Sequence, residues 1–455
     1  MKLRKIVLAL GLAVIGCATA GCGESDDSEI VLRVANCEEY IDEGDWEDDE
    51  LIELADGTGI IGENPLIEDF EDWYLETYGK KVRVEYSTYG TNEDLYNQLT
   101  LGSVFDLVCP SEYMILKMMD EDMLCEYSSG FYDEADENNY YVRGLSPYIR
   151  DVLENLTNDG ESIYNYGAGY MWGTMGIVYN PGEIEADDLR HWSLLLDGDY
   201  RKRITMKDGV RDSYIVGLCI LNEELLMSDE FTSSASYRDD ITALLNDTGE
   251  ETVAAVEEIL TAMKENAYAL ETDSGKADMV SGKVVANMQW SGDAVYSMDQ
   301  AEEDDCLLEF LVPEEGSNLW FDGWAMLKAG VGDNAEKRQA AEAFVNFISR
   351  PDNVIRNMYY IGYTSVISGG DDDSILQYLD YTYGEEDGVR YDVSYFFGDD
   401  TFVTASEDQL KRQLYAAYPS EDVLRRCVVM DYFDAEENER ISEMWTNIRC
   451  FSFGL

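Results

Sequence analysis

The chain of 455 residues sets 95 Asp and Glu against 32 Lys and Arg, for a formal net charge of −63 at pH 7. That imbalance excludes nucleic acid as a partner, because phosphate binding rests on Lys and Arg; it enriches cations near the surface, although physiological salt screens the field beyond about 8 Å. With 45% hydrophobic residues there is ample core material, and the length exceeds what one core usually serves, so two lobes are expected.

At the start of the chain, Lys2, Arg4 and Lys5 precede the apolar run Ile6 to Ile15, the pattern of an export signal. The run is too short for a membrane span, which needs about 20 apolar residues, and no later stretch could cross a bilayer. Thr19-Ala20-Gly21-Cys22 resembles a bacterial lipoprotein cleavage box, in which the cysteine is lipidated and becomes the new N-terminus; Val14-Ile15-Gly16-Cys17 fits the box too. Residues 1–21 are therefore expected to be a lipoprotein signal peptide, Cys22 the anchor on the outer face of the cell membrane, and residues 22–29 a polar tether. Removing the three leading cations and no acid takes the charge from −63 to −66.

Ile30 to Asn36 alternates as a strand does. The spacing of Leu66, Ile67, Phe70, Trp73 and Tyr74 predicts a helix over Pro65 to Tyr78, with Asn64 as N-cap, Pro65 at the first position and Gly79 as the stop. Lys81 to Tyr86 reads as a second strand, Thr91 to Leu101 as a helix opened by Thr91 and Asp94, and Phe105 to Cys109 as a buried third strand. A β-α-β-α-β order implies a parallel sheet. Further on, Glu250 to Lys264 and Asn334 to Ile348 read as helices and Lys283 to Trp290 as a strand, giving two α/β lobes. Asp45 to Glu63 and Gly369 to Leu424, dense in carboxylate and glycine, read as loop-rich insertions.

Most familiar chemical motifs are absent or weak. The nine cysteines are scattered without CxxC spacing, which argues against a zinc or iron–sulfur site, and most read as small buried apolar residues. The single histidine, His191, would have to serve alone in any nucleophile triad, and is read as the start of a structural segment. Gly57-Thr58-Gly59-Ile60-Ile61-Gly62 matches GxGxxG formally, but follows an acidic stretch and is flanked by Asp56 and Glu63, which would repel a pyrophosphate. Asp371-Asp372-Asp373 lacks EF-hand spacing and reads as a solvated loop. Neither cofactor nor metal is expected.

The informative segments are Trp320-Phe321-Asp322-Gly323-Trp324 and Gln289-Trp290-Ser291-Gly292-Asp293, each setting a large aromatic beside a carboxylate. An alkyl diamine requires that pairing: rings cover methylenes and present negative π-faces, and carboxylates neutralise ammonium ends that are costly to desolvate. Burying four methylenes is worth ~3 kcal/mol against the ~8 kcal/mol of micromolar affinity, so the ammonium contacts must supply much of the rest. Trp73, Trp324 and Trp445 are read as core.

Several blocks together resemble the spermidine/putrescine-binding proteins of polyamine ABC importers, a branch of the bacterial extracellular solute-binding proteins. They are Asn36 to Ile41, Tyr86 to Tyr89 with Asn92-Glu93, Phe105 to Tyr113, Tyr170 to Thr174, Trp320 to Asp322, Ala343 to Ile348 and Ile361 to Tyr363. The resemblance implies a periplasmic-binding-protein-like (type II) α/β fold, two lobes joined by crossing strands with a ligand cleft between them: residues 30–138 with 322–366 as one lobe, 139–321 with 367–455 as the other. It implies Tyr40 and Tyr113 as cleft aromatics with Ser111 and Glu112 beside the second, Trp290 and Trp320 as the pair sandwiching the polyamine, and Asp322 as the carboxylate for one amine. Asp208 and Asp212 fall where the family binds the other amine, in a loop one residue longer here, and Tyr363 matches a further cleft tyrosine. Asp431 or Tyr432 matches a polar cleft position in the tail. The partners implied are a polyamine, a permease with a separate ATPase, and the membrane through the N-terminal lipid. One departure is Cys37, where the family usually has tryptophan, which opens the choice to another small cationic or neutral solute. A secreted hydrolase using paired carboxylates is the rival from another class.

Overall fold

The computed structural model describes residues 29–184, 188–272, 274–398 and 400–450. The expected signal peptide and the lipidation cysteines Cys22 and Cys17 lie outside the described residues.

The N-terminal third builds as its patterning dictates. Strand β1 (Ile30–Cys37) buries Leu32 and Val34 on its inner face. Helix α1 (Leu66–Tyr78) buries Phe70 and Tyr74, one turn apart; Pro65 itself stands at its N-cap, one position earlier than expected, and Gly79 closes it in the left-handed conformation at φ 68°. Strand β2 (Val82–Tyr89) follows, then α2 (Asn92–Thr100), whose Thr91 hydroxyl accepts the Asp94 N–H. Strand β3 (Leu107–Val108) leads directly into α3 (Glu112–Asp120). The formal GxGxxG segment is no strand-to-helix turn: it closes a small hairpin pairing Ile52–Glu53 with Gly59–Ile60, with Gly57 at φ 89° in the turn.

The remaining elements that matter here are β4 (Gly167–Tyr179), β5 (Ile204–Lys207), α4 (Val210–Leu221), α5 (Glu250–Asn266), β6 (Ala269–Glu271), β7 (Ala286–Trp290) and α6 (Ser291–Glu303). They are followed by β8 (Ser317–Leu327), α7 (Ala335–Ile348), capped by the Asn334 side chain, α8 (Pro351–Ile361), α9 (Ser374–Tyr383), β9 (Gly384–Asp392), β10 (Phe402–Ala405) and α10 (Ala435–Cys450).

Among the described residues the main sheet runs β6-β5-β7-β4-β8-β3-β1-β2, with four further short strands paired to the central β4 and β8. At one end β1 pairs parallel with both β2 and β3; at the other β5 pairs parallel with both β6 and β7. Between these parallel halves lie β4 and β8, long, antiparallel to each other, with β4 antiparallel to β7 and β8 antiparallel to β3. They cross from one half to the other. The buried side chains form two clusters, and β4 contributes to both: Met171, Trp172 and Val178 pack into the first, Met175, Ile177 and Tyr179 into the second. This is a two-lobed α/β molecule with crossing strands at its waist.

The acidic stretch Gly369 to Leu424 differs from the loop-rich reading. It carries α9 and the β9–β10 pair, and buries Tyr378, Leu379, Tyr391, Phe396, Val403, Leu414 and Tyr418. Its carboxylates and glycines face outward while these apolar residues fill the first cluster.

Candidate functional site

Parallel strands of an α/β sheet deliver functional residues where their carboxyl ends meet the next loop. Here Tyr40 follows β1, Ser111 and Glu112 follow β3, Asp208, Arg211 and Asp212 follow β5, and Trp290 ends β7. Trp320 and Asp322 sit on the crossing strand β8, two apart and so on one face. Tyr363 comes just past α8, after Gly362 turns the chain at φ 80°. Elements distant in sequence thus converge at the waist.

The clearest chemistry is at Asp322. The β8–β4 register shifts between Asp322 and Gly323, so that Tyr170 is the extra residue on β4, and such a bulge re-aims the side chain beside it. Tyr40 donates its hydroxyl to Asp322 Oδ2 at 2.6 Å, and Ser111 donates to Oδ1 at 2.7 Å; Asn92 in turn donates to the Ser111 oxygen at 2.9 Å. Both partners are neutral, and among the described residues no lysine or arginine pairs with this carboxylate. Burial raises the Asp322 pKa, and the two hydrogen bonds oppose that only in part. Around it stand Tyr40, T-shaped on Tyr170 and Tyr363 at 5.5 and 5.8 Å, and Trp320, 5.5 Å from Tyr363. Cys37 lies here as well: burial first and the Asp322 charge second push its thiol up to about 12, so it stays protonated and neutral.

Glu112 lies next to this group, accepting the Phe321 N–H at 3.2 Å. Burial pushes its carboxyl up to about 8, with Arg211 pulling the other way. Tyr363 reaches toward the second half, donating to Asp293 Oδ1 at 2.9 Å.

The other pole carries positive charge of its own. The Trp290 indole N–H donates to Asp212 Oδ1 at 3.1 Å, and burial raises the Asp212 pKa against that bond and the nearby cations. The Lys207 ammonium, 1% exposed, lies 4.1 Å from the Trp290 ring, 3.6 Å from Glu271 and 3.7 Å from Asp293. The Arg211 guanidinium lies 4.4 Å from the Tyr113 ring and 4.3 Å from the Phe433 ring, and burial lowers its pKa.

The ten residues singled out in the sequence therefore divide. Tyr40, Ser111 and Asp322 form one bonded group, with Trp320 and Tyr363 against it and Glu112 behind; Asp212 and Trp290 form a second, and Tyr113 reaches it through Arg211. Asp208 stands apart, its Oδ2 paired with Arg449 at 3.1 Å. Among the described residues Trp290 and Trp320 make no ring-to-ring contact. Asp431 offers its backbone oxygen to Arg211 at 2.6 Å. Lys207, Arg211 and Asp293 were not singled out, although Asp293 closes the quoted Trp290 segment; nothing marks a lone basic residue at a strand end as buried. Two open hollows, of 280 and 350 Å³, lie elsewhere, and none of the ten residues lines either.

Comparison with known proteins agrees with this architecture. The family model described as bacterial extracellular solute-binding protein matches residues 66–377. The spermidine/putrescine-binding periplasmic protein of Salmonella typhimurium is 26% identical over 293 residues, covering 64% of this chain and 72% of that protein. The putrescine-binding periplasmic protein SpuD of Pseudomonas aeruginosa is 24% identical and covers 98% of each chain. Among solved structures, the spermidine/putrescine ABC transporter substrate-binding protein PotD of Streptococcus pneumoniae superposes with a TM-score of 0.59 at 23% identity, over 92% of this chain and 98% of that one.

Proposed function

We propose that this chain, which belongs to the bacterial extracellular solute-binding proteins, captures a protonated polyamine, putrescine or spermidine, and delivers it to the permease of an ABC importer driven by a separate ATPase. A member of that family is a binding protein and not an enzyme, so the carboxylate hydrolase reading falls away. The observation that carries the ligand class is Asp322: a buried carboxylate held by two neutral hydroxyls, without a cationic partner among the described residues, and walled by Tyr40, Trp320 and Tyr363. Leaving a carboxylate so placed is costly unless a cation arrives. An ammonium group fits, and the aromatic faces cover its methylenes. The curated relatives named for spermidine and putrescine support the same class.

Asp212 and Trp290 take the second amine in this reading. With Arg211 spanning both halves of the cleft, ligand enters only when the halves part, and binding favours closure because both sets of contacts exist only there. Cys22 carries the lipid that holds the protein at the outer face of the cell membrane, with Cys17 as the other box.

A second reading has a specific observation behind it. Lys207 over Trp290 and Arg211 over Tyr113 already supply cations at the second pole, which suits a solute carrying a single ammonium and a neutral or anionic far end. Mass spectrometry of ligand retained through native purification, followed by calorimetry with putrescine, spermidine and a monoamine of equal length, separates the two. Polyamine binding that survives both Asp322→Ala and Trp320→Ala would sink the proposal.

A further inference from the structure

His191, the single histidine of the chain, lies outside the cleft and meets two carboxylates there. Its Nδ1 is 3.2 Å from Glu315 Oε1 and 3.8 Å from Glu223 Oε1, and all three side chains offer donor atoms within 4.8 Å of one another. We propose that His191, Glu223 and Glu315 form a binding site for a divalent metal ion, best matched by Zn²⁺.

The geometry suits the ion. Donors bonded at ~2.0–2.2 Å around a tetrahedral centre stand roughly 3.3–3.6 Å apart, which the two measured separations bracket. One imidazole and two carboxylates make a borderline-hard donor set of the kind zinc accepts, with the fourth position left to water.

Electrostatics supply an independent reason. The Glu315 side chain has no solvent exposure. Its Oε1 accepts the Trp192 N–H at 3.2 Å, whereas Oε2 is buried with no hydrogen-bond partner among the described residues. The adjacent Arg190 is bound in a two-point contact by Glu314, at 2.7 and 2.8 Å. Glu223 adds a second negative charge within reach. Two carboxylates so close repel unless a cation stands between them. A dication relieves that repulsion and neutralises the buried carboxylate that carries the orphaned oxygen.

The site is also held in place by its surroundings. The segments bearing His191 and Glu315 are tied by Glu314 N–H to Arg190 O at 2.9 Å and by the Trp192 indole N–H to Gly316 O at 2.8 Å. Gly316, at φ 115°, passes where a side chain would strike the Arg426 carbonyl, so this turn takes glycine. Glu223, the more exposed carboxylate, supplies the way in. It lies just past the end of α4, whose first turn carries Arg211 and Asp212, and Glu315 lies two residues before β8, which carries Trp320 and Asp322. An ion here ties together two elements that bear cleft residues, at the ends away from the cleft.

The test uses the full protein, stripped with a chelator and titrated with Zn²⁺ alone by calorimetry and thermal unfolding. One ion per chain is expected, with a rise in Tm on saturation, and His191→Gln and Glu223→Gln, both at partly exposed positions, are each expected to weaken binding at least tenfold. Co²⁺ in place of Zn²⁺ should give the intense visible bands of a tetrahedral site, lost in the same variants. Equal stoichiometry and affinity in both variants would mean an adventitious ion on an acidic surface, and no binding at all would mean that the three side chains hold no ion; either result overturns the proposal. Polyamine affinity in the chelated protein is measured in parallel, so failure here is distinguishable from failure of the cleft assignment.

Discussion

The guanidinium of Arg211, carried by α4 in the second half, lies 4.4 Å over the ring of Tyr113, carried by α3 in the first. The Phe433 ring lies 4.3 Å from the same guanidinium. Cation–π contacts are worth about 0.5–1 kcal/mol when exposed and about 2 when desolvated, so this stack acts as a clasp across the waist. Arg211→Met keeps much of the stem packing but loses the charge and the planar fork. About a tenfold weaker polyamine affinity is expected, with a larger radius of gyration for the ligand-free protein in solution scattering. Arg211→Lys should fall between, because an ammonium keeps the charge but lacks the planar fork. Unchanged scattering and affinity in Arg211→Met would remove the clasp from the closure mechanism.

Ligand binding should weaken as pH falls. Burial raises the Asp322 pKa in the free protein, and an ammonium group pairs only with the ionised form. Protons and ligand therefore compete for Asp322, and binding releases protons wherever that carboxyl is partly protonated. Calorimetry between about pH 5 and pH 8, in buffers of differing ionisation heat, should show affinity rising with pH and a net proton release. Asp322→Asn should lose this component of the pH dependence along with at least a hundredfold in affinity.

Glu112 makes a separate prediction, about stability. Its carboxyl is pushed from 4.5 to about 8 by burial, so between those pH values the folded chain holds a proton that the unfolded chain has released. The contribution is fully present below 4.5 and is lost as pH rises through about 8. Glu112→Gln is expected to flatten the decline in Tm across that window and to raise stability at alkaline pH by a few kcal/mol at most, at ~1.4 kcal/mol per pKa unit. A decline with pH as steep in the variant as in the parent would show that Glu112 does not titrate there.

Much of the fold was legible because local signals and tertiary demand agree. Thr91 caps α2 and Asn334 caps α7 as their side-chain chemistry dictates, and the β1, β2 and β3 run pairs in parallel as its connections require. Gly369 to Leu424 reads as loop because its carboxylates dominate the composition, while the burial of Tyr378, Tyr391 and Phe396 depends on a cluster assembled from distant segments that no window of sequence displays. The cleft follows the same division. Trp320 and Asp322 are two apart on one strand, a relation that period-two alternation exposes. The Tyr40 to Asp322 bond spans 282 residues, and only the folded sheet brings it about. Lys207 ends a four-residue strand and looks like an ordinary surface lysine; its burial comes from the packing of Trp290, Glu271 and Asp293 around it.

Tyr363 owes its position to a missing side chain. A methyl group on Gly292, in the first turn of α6, would overlap the Tyr363 ring. Gly292→Ala should favour the helix itself by about 1 kcal/mol, yet force the ring away from Trp320 and break its bond to Asp293. The expected outcome is a folded protein with weakened ligand binding, tenfold or more, and with little loss of Tm. If Gly292→Ala binds as the parent does, the Tyr363 ring is not part of the ligand wall.

The last prediction concerns Lys207, which faces two carboxylates and an indole while almost fully withdrawn from water. Its ammonium donates to Thr272 O at 2.8 Å, and Glu271 beside it also accepts from Asn287 at 3.2 Å and from the Gly275 N–H at 2.8 Å. Removing one member of a buried ion pair strands the other charge, at a cost of about 3–5 kcal/mol. Lys207→Met should therefore lower the midpoint of urea unfolding by that order, and Lys207→Met with Glu271→Gln should recover a good part of it, since the second change removes the stranded charge. Ligand binding reports on a different question. If Lys207 only supports Trp290 from behind, the double variant binds polyamine nearly as the parent does; if its charge opposes a second ammonium at this pole, the double variant binds spermidine and putrescine more tightly. A gain in polyamine affinity would show that the positive charge at Lys207 is what tunes this chain toward ligands with a single ammonium.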